Sequence, residues 1–504
     1  MNRPSASVFI DYQCPTGKYP GYVNQTDTGL MIPGRQCSEA TPMDEPAPTA
    51  TGSSGRLSRT LEPRHVTMIA LGGIIGAGLF VGSSAAIAAA GPSIVVSYII
   101  AGILVLLIMR MLGEMAVALP EIRSFTEFAR EGLGHGAGFV VGWLYWYFWI
   151  IVVPVEAIAG AKLLQTWLPL PMWQLGVGLM AAMTAVNLLS ARSYGEFEFW
   201  FSSIKVAAII AFIVAAAAFV FGFTSSDSQG LSNLVDHGGF MPMGPLAVLA
   251  GVTTVFFSVT GAEITTVAAA ESREPARAIA QMTTSIVARI LIFYVGSVFL
   301  IVCVVPWNLI QPGESPFTRA LSQMNVAWGS TAMTFVILTA VLSCLNSAFY
   351  VASRVLLVLA EKHDAPAWLV QVNSRRVPTR SVLLGSLAGF AGVAAGILSP
   401  SGVFAFLVNA SGALILFVYM AIACAQVRLR STREPLGQWQ TPLRMWFFPW
   451  ASYATIAAML AVLLAMALTP GLASQFYVSL ATLMVVILAY QVKRRRRQGT
   501  HQAG

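Results

Sequence analysis

Twelve stretches of about twenty or more largely apolar residues, separated by polar connections, leave this chain few structures to adopt. They run over about 66–89, 92–119, 138–165, 171–191, 199–222, 246–270, 285–305, 328–360, 380–398, 402–427, 446–468 and 472–492. In hydrocarbon a segment must satisfy its own backbone N–H and C=O groups, so each stretch reads as a membrane-crossing helix. Only 10% of the 504 residues are charged, against about 25% in a soluble domain. The expected fold class is therefore an all-α integral membrane protein with twelve transmembrane helices.

Arginine and lysine set the orientation. They flank the first stretch (Arg56, Arg59, Arg64) and recur in every second connection: Arg123 and Arg130, then Arg192, Arg273 and Arg277, Lys362 to Arg380, and Arg428 to Arg444. The alternate connections carry Arg319 alone, and the chain ends in Lys493-Arg-Arg-Arg-Arg497. Both termini are thus expected in the cytoplasm of a multi-pass protein of the plasma (inner) membrane. The formal charge of +8 marks topology and contact with anionic lipid, not nucleic acid. Residues 1–60 are polar, rich in Pro, Ser, Thr and Gly, and without the apolar core of a signal peptide, so they read as a disordered tail. The membrane domain is expected over 61–492 and a basic cytoplasmic tail over 493–504.

The first stretch holds Leu71-Gly-Gly-Ile-Ile-Gly-Ala-Gly-Leu-Phe80, with Gly72, Gly73, Gly76, Gly78 and Gly82 close together. Each glycine costs about 1 kcal/mol in a helix interior, so the helix can break here. Broken backbone at membrane depth is tolerated where it lines a cavity. A second break is expected in Phe256-Phe-Ser-Val-Thr-Gly-Ala-Glu263 of the sixth stretch. Five spans separate the two, an odd number, so the two helices run in opposite directions. That predicts two five-helix inverted repeats, about 66–222 and 246–427, with two extra helices over 446–492. Free N–H groups at Gly76, Ala77 and Gly78 suit a carboxylate, and carbonyls near Ile74, Phe257, Ser258 and Thr260 suit an ammonium, so a zwitterion fits. The same glycines also fit close helix packing alone.

Ionisable groups inside the spans are few. Lys205 lies about 9 Å in from Phe199 at about 1.5 Å per residue, and reads either as a lysine snorkelling to the headgroups or as a desolvated proton carrier. Glu263, after the second break, and Glu156, after Pro154, each read as a gate or as the holder of a second proton, against a strut between helices for Glu263 and, for Glu156, a buried neutral acid or a direct ligand. Arg110 and Glu114, four apart, read as a structural pair. Lys162 reads as snorkelling outward, the aromatic run Trp143–Trp149 as packing or an interface belt, and Asn346 and Ser347 as cavity lining or helix glue. All five histidines fall in connections or tails, and the five cysteines lack metal-ligand spacing. No nucleophile–base set or Walker loop appears, which argues against an intramembrane enzyme and an ATP-driven pump. A channel and a transporter-like receptor stay open beside a transporter. No metal or cofactor is expected.

Several phrases resemble the amino acid permeases of the amino acid–polyamine–organocation superfamily: Arg64-His-Val-Thr-Met68, the glycine run, Arg110-Met-Leu-Gly-Glu-Met-Ala-Val117, Gly142-Trp-Leu-Tyr-Trp-Tyr-Phe-Trp149, Tyr194-Gly-Glu-Phe-Glu-Phe-Trp200, Ser343-Cys-Leu-Asn-Ser-Ala348 and Asp364-Ala-Pro366. Leu79-Phe-Val-Gly-Ser-Ser84 is most similar to the 4-aminobutyrate permeases of that superfamily. The resemblance implies a five-plus-five inverted repeat of the LeuT-like kind, discontinuous helices 1 and 6, and proton-coupled uptake. It implies a substrate carboxylate at Ala77 and Gly78, an amine at the carbonyls of Ile74, Phe257 and Thr260, and Phe257 as a lid. Ala77 replaces the Ser or Thr of many relatives and so removes one hydroxyl donor. The resemblance also puts Lys205 where sodium-coupled relatives hold their ion, hence as the proton-coupling group beside Glu263 and Glu156. Exchange in place of symport, and proline, an aromatic or another neutral amino acid as substrate, are the alternatives.

Overall fold

Apolar runs of this length form helices, and among the described residues every regular element is helical. The computed structural model describes residues 75–122, 124–189, 191–224, 230–264, 291–326, 328–373, 377–398 and 400–502. All belong to the larger of the chain's two units, 53–504. The tail expected over 1–60 lies outside the described residues.

A π-helical turn, Gly78–Gly82, leads into α1 (Ser83–Ala90). Gly91, at φ +66°, turns the chain into α2 (Ile94–Ala118); a β-carbon there would also meet Pro242 at 2.5 Å. After α3 (Phe125–Leu133) come α4 (His135–Leu164), α5 (Met172–Asn187), α6 (Ala191–Val220) and α7 (Gly244–Val259). A π turn over Leu291–Val295 opens α8 (Gly296–Val304), and α9 (Pro316–Gln323) precedes α10 (Gly329–Glu361). Then follow α11 (Thr379–Leu398), α12 (Pro400–Arg433), α13 (Trp450–Leu468) and α14 (Pro470–Gln502). Eight helical stretches among the described residues are long and apolar enough to cross a bilayer, and α7 and Leu291–Val304 are shorter apolar helices.

Burial orders these helices from the centre outward. The apolar window of α10 is 83% buried and that of α4 78%, whereas that of α14 is 6% buried. The two central helices pack on each other, and α11 lies against α4, where Gly392 admits the ring of Pro154; a β-carbon at 392 would meet Pro154 at 2.2 Å. Phe317 of α9 wedges between Phe80 and Phe212, with ring centroids 4.9 and 4.8 Å away, and so fixes the start of α1 against α6.

The pairing expected of Arg110 with Glu114 is replaced. Glu114, fully buried, accepts from Arg430 at 3.0 Å, Gln426 at 2.8 Å, Trp439 Nε1 at 3.0 Å and the Met445 amide at 3.0 Å. Arg110 instead donates to the Arg444 carbonyl at 2.8 Å and lies over Trp446. A buried carboxylate needs several donors, and the end of α12 with the connection after it supplies more than one half-buried arginine can. Another acid, Asp364 beyond α10, accepts from Arg130 at 2.5 Å and Lys493 at 2.6 Å, with His135 at 3.3 Å. It ties α3, the α10–α11 connection and α14 together. Lys162 ends on the Gly313 carbonyl at 3.0 Å, and Asn346 accepts from Asn187 at 2.8 Å, which joins α10 to α5.

Candidate functional site

Two helix ends meet beside α4. Ile75 and Gly76 are bent backbone, and helix begins at Ala77. Ile74 lies outside the described residues. Across from this start, α7 stops at Val259: Thr260 is extended (φ −68°, ψ 144°) and Gly261 sits at φ +126°, a conformation that glycine adopts without strain. Residues 265–290 lie outside the described residues. The two ends touch closely, since a β-carbon on Gly78 would stand 2.8 Å from Ser258 Cα. On Gly76 it would meet Cys344 at 2.7 Å and the Glu156 carboxyl at 2.8 Å.

Between the ends lies a small chamber. Gly76, Gly78, Ser258 and Thr260 give it a polar floor of backbone, while Phe148, Trp149 and Phe257 wall it. Phe148 and Trp149 come from the aromatic run read from sequence as packing or interface belt. Phe257 stands 6.4 Å from Phe148 between ring centroids, in the position of an aromatic cover. For a water-sized sphere the chamber offers about 10 Å³. That is room for roughly one water, so anything larger fits only once the walls part.

Glu156 and Cys344 complete the lining. The Ala77 amide donates to both oxygens of Glu156, at 3.2 Å each. The backbone donor that suits a substrate carboxylate therefore already holds a carboxyl group of the protein. Lys205, fully buried, donates from Nζ to the Ile75 carbonyl at 2.9 Å and to Ser343 Oγ at 2.7 Å. It points inward to the broken end of the first helix and does not snorkel. Thus a carboxyl sits on the N–H side of the break and an ammonium on the C=O side, the arrangement that helix-end dipoles favour.

The other sequence candidates separate from this pair. Ser258 is half engaged, its carbonyl accepting from Tyr294 at 2.8 Å. Thr260 turns its hydroxyl back to the Phe256 carbonyl at 2.6 Å. Glu263 does not line the chamber: it accepts from Tyr419 at 2.7 Å, Tyr145 at 3.1 Å and the Gly261 amide at 3.0 Å, which pins the unwound end of α7 to α4 and α12. Two residues that the sequence reading quoted only inside family-like phrases, without a role, join the site. Ser343 accepts from Lys205, and Glu198 of α6 accepts from Ser343 at 2.5 Å and from Ser202 at 2.9 Å. A signal for Glu198 was present, because it precedes Lys205 by seven residues and so shares its helical face. Among the described residues no group of three His, Cys, Asp or Glu side chains is placed to hold a metal ion.

Known proteins agree with this architecture. The amino acid permease family matches residues 65–502. The gamma-aminobutyric acid permease of Bacillus subtilis is 43% identical over 447 residues, covering 88% of this chain and 95% of the relative. A probable GABA permease of Pseudomonas aeruginosa is 45% identical (89% and 95% covered), and the aromatic amino acid transport protein AroP of Corynebacterium glutamicum is 37% identical (87% and 96%). Among solved structures, the manganese transporter of Eremococcus coleocola shares the fold with a TM-score of 0.56 at 11% identity, covering 89% of this chain and 99% of that one.

Proposed function

This chain belongs to the amino acid permease family, and from that premise we propose that it takes up 4-aminobutyrate, or a similarly small zwitterion, by proton symport with alternating access. It is a multi-pass membrane transporter, not an enzyme. The observation that carries the finer reading is the bent backbone at Ile75 and Gly76 ahead of the helix that begins at Ala77, with Glu156 on the Ala77 amide and Lys205 on the Ile75 carbonyl. Helices within each of the twelve apolar stretches support twelve spans, in two inverted five-helix repeats followed by two further helices. Both termini then lie in the cytoplasm.

In this reading the substrate carboxylate takes the Ala77 and Gly78 amides, and Glu156 gives way. The amine rests on carbonyls at Ile74, Phe257, Ser258 and Thr260, under the Phe257 ring. Lys205 couples the cycle, because its charge clamps the carbonyl beside the break, and Glu156 takes a proton when it leaves Ala77. Glu263 acts as the strut that keeps α7 unwound. The 4-aminobutyrate permeases among the relatives support the substrate, and AroP makes an aromatic amino acid the competitor to exclude.

The test is uptake of radiolabelled 4-aminobutyrate into proteoliposomes under an imposed pH gradient, with a panel of competing amino acids. Wild-type protein is expected to accumulate label above equilibrium, to lose that accumulation with a protonophore, and to be inhibited best by small ω-amino acids. Lys205→Ala is expected to equilibrate label without accumulating it. Uptake indifferent to the gradient contradicts symport, and stronger inhibition by an aromatic amino acid contradicts the substrate.

A further inference from the structure

Glu198 and Lys205 stand two turns apart on one face of α6, both fully buried. Their nearest atoms, Nζ and Oε1, are 3.9 Å apart, too far for a direct hydrogen bond. A hydroxyl fills the gap. Ser343 Oγ accepts from Lys205 Nζ at 2.7 Å and donates to Glu198 Oε1 at 2.5 Å, and Ser202 supports the same oxygen at 2.9 Å. A plain counterion would touch the ammonium. Here donor, hydroxyl and acceptor form a continuous line across two helices.

We propose that Glu198 is a second proton-holding site of this permease, joined to Lys205 through the Ser343 hydroxyl. The proposal rests on the symport reading and goes beyond it by naming where the proton goes after Lys205. In the transfer, a Lys205 N–H bond breaks and its proton bonds to Ser343 Oγ. The original Ser343 O–H bond breaks and that proton bonds to Glu198 Oε1. Nζ keeps the electron pair. The lysine becomes a neutral amine, the glutamate a neutral acid, and the serine is regenerated with its hydroxyl reversed, donating back to Nζ.

Charge is conserved and no separated ion pair is left in a low-dielectric site. The transfer also acts on the helix break, because Lys205 holds the Ile75 carbonyl at 2.9 Å. A charge-assisted hydrogen bond is roughly twice as strong as a neutral one, so moving the proton to Glu198 loosens that clamp. The remaining titratable groups facing the pair are Glu156 on α4 and Cys344 on α10, both toward Lys205. Ser347 of α10 faces Glu198. Glu198 lies toward the N-terminal end of α6, whose first turn bears Arg192, so the relay runs from the chamber toward the cytoplasmic side in the proposed topology.

The test compares proton co-flux with 4-aminobutyrate flux in proteoliposomes for wild type, Glu198→Gln, Ser343→Ala and Ser343→Thr. Glu198→Gln is expected to lower gradient-driven accumulation by about tenfold or more, the scale of a lost proton-transfer group, while substrate-for-substrate exchange falls less. Ser343→Ala is expected to behave alike, and Ser343→Thr to recover part of the loss by restoring a hydroxyl. Should Glu198→Gln fail to fold, the Ser343 pair and the pH-dependent carboxylic-acid band of wild type in infrared difference spectra carry the test. Wild-type co-flux in Glu198→Gln, or equal loss in Ser343→Ala and Ser343→Thr, overturns the relay alone. Absence of proton co-flux in the wild type overturns symport itself.

Discussion

In the proposed cycle, Glu156 holding the Ala77 amide through both oxygens is the contact that the substrate carboxylate displaces. Sequence made Glu156 visible as a lone acid in an apolar helix, but nothing in the spacing of residues 77 and 156 announced that one would cap the other. If substrate carboxylate and Glu156 compete for that amide, protonating Glu156 frees the seat, and apparent affinity rises as pH falls. With one proton per substrate the change approaches, at most, about tenfold per pH unit. Measured as the apparent KM for 4-aminobutyrate against external pH, the slope is expected in wild type and flattened in Glu156→Gln, whose side chain cannot ionise. An unchanged slope in that variant would remove Glu156 from the coupling.

At the scale of elements, charges that look local in sequence turn out to be long-range ties. Arg110 and Glu114 satisfy the i, i+4 rule, yet Glu114 finds Arg430, Trp439 and Met445. Helical spacing predicts neighbours, whereas burial selects whichever element brings enough donors. Lys205 was legible because a charge in an apolar run stands out, while its partner Ser343 was not, since a serine in a helix is equally compatible with packing; Glu198 carried a signal, its place two turns before Lys205 on one helical face. The Asp364 tie yields a prediction of its own. Burial alone pushes the Asp364 carboxyl up from 3.8, but hydrogen bonds from Lys493 and Arg130, with their charges, hold it below that value. A depressed acid stabilises the fold fully above its unfolded pKa, near 4, and less as pH falls through the folded value. Asp364→Asn is therefore expected to lower stability at neutral pH by about 1–3 kcal/mol, less than a fully buried pair because Arg130 and Lys493 are partly exposed. Melting temperatures of detergent-purified protein between pH 7 and about 2 check this: the gap between wild type and variant should hold above about pH 4 and narrow below it, and a gap that stays constant below about pH 4 would contradict it.

For the whole molecule, hydropathy located the helices, because bilayer thickness dictates their length. Glycine clustering pointed to the place where the first described helix starts, at Ala77, because helix interiors exclude glycine unless something needs the backbone bare; residues 66–74 of that stretch lie outside the described residues. How far the two helix ends stand apart was beyond the sequence, since that distance depends on Ser258 of α7 and on side chains such as Phe148 and Cys344, drawn from two other helices. The chamber as it stands admits about one water, so binding must separate the walls. The most direct measurement is therefore a structure of the purified transporter with 4-aminobutyrate bound. The account predicts the substrate carboxylate on the Ala77 and Gly78 amides, its amine on the carbonyls of α7, and the Glu156 carboxyl withdrawn from Ala77. Substrate bound elsewhere, with Glu156 still seated on the Ala77 amide, would contradict it.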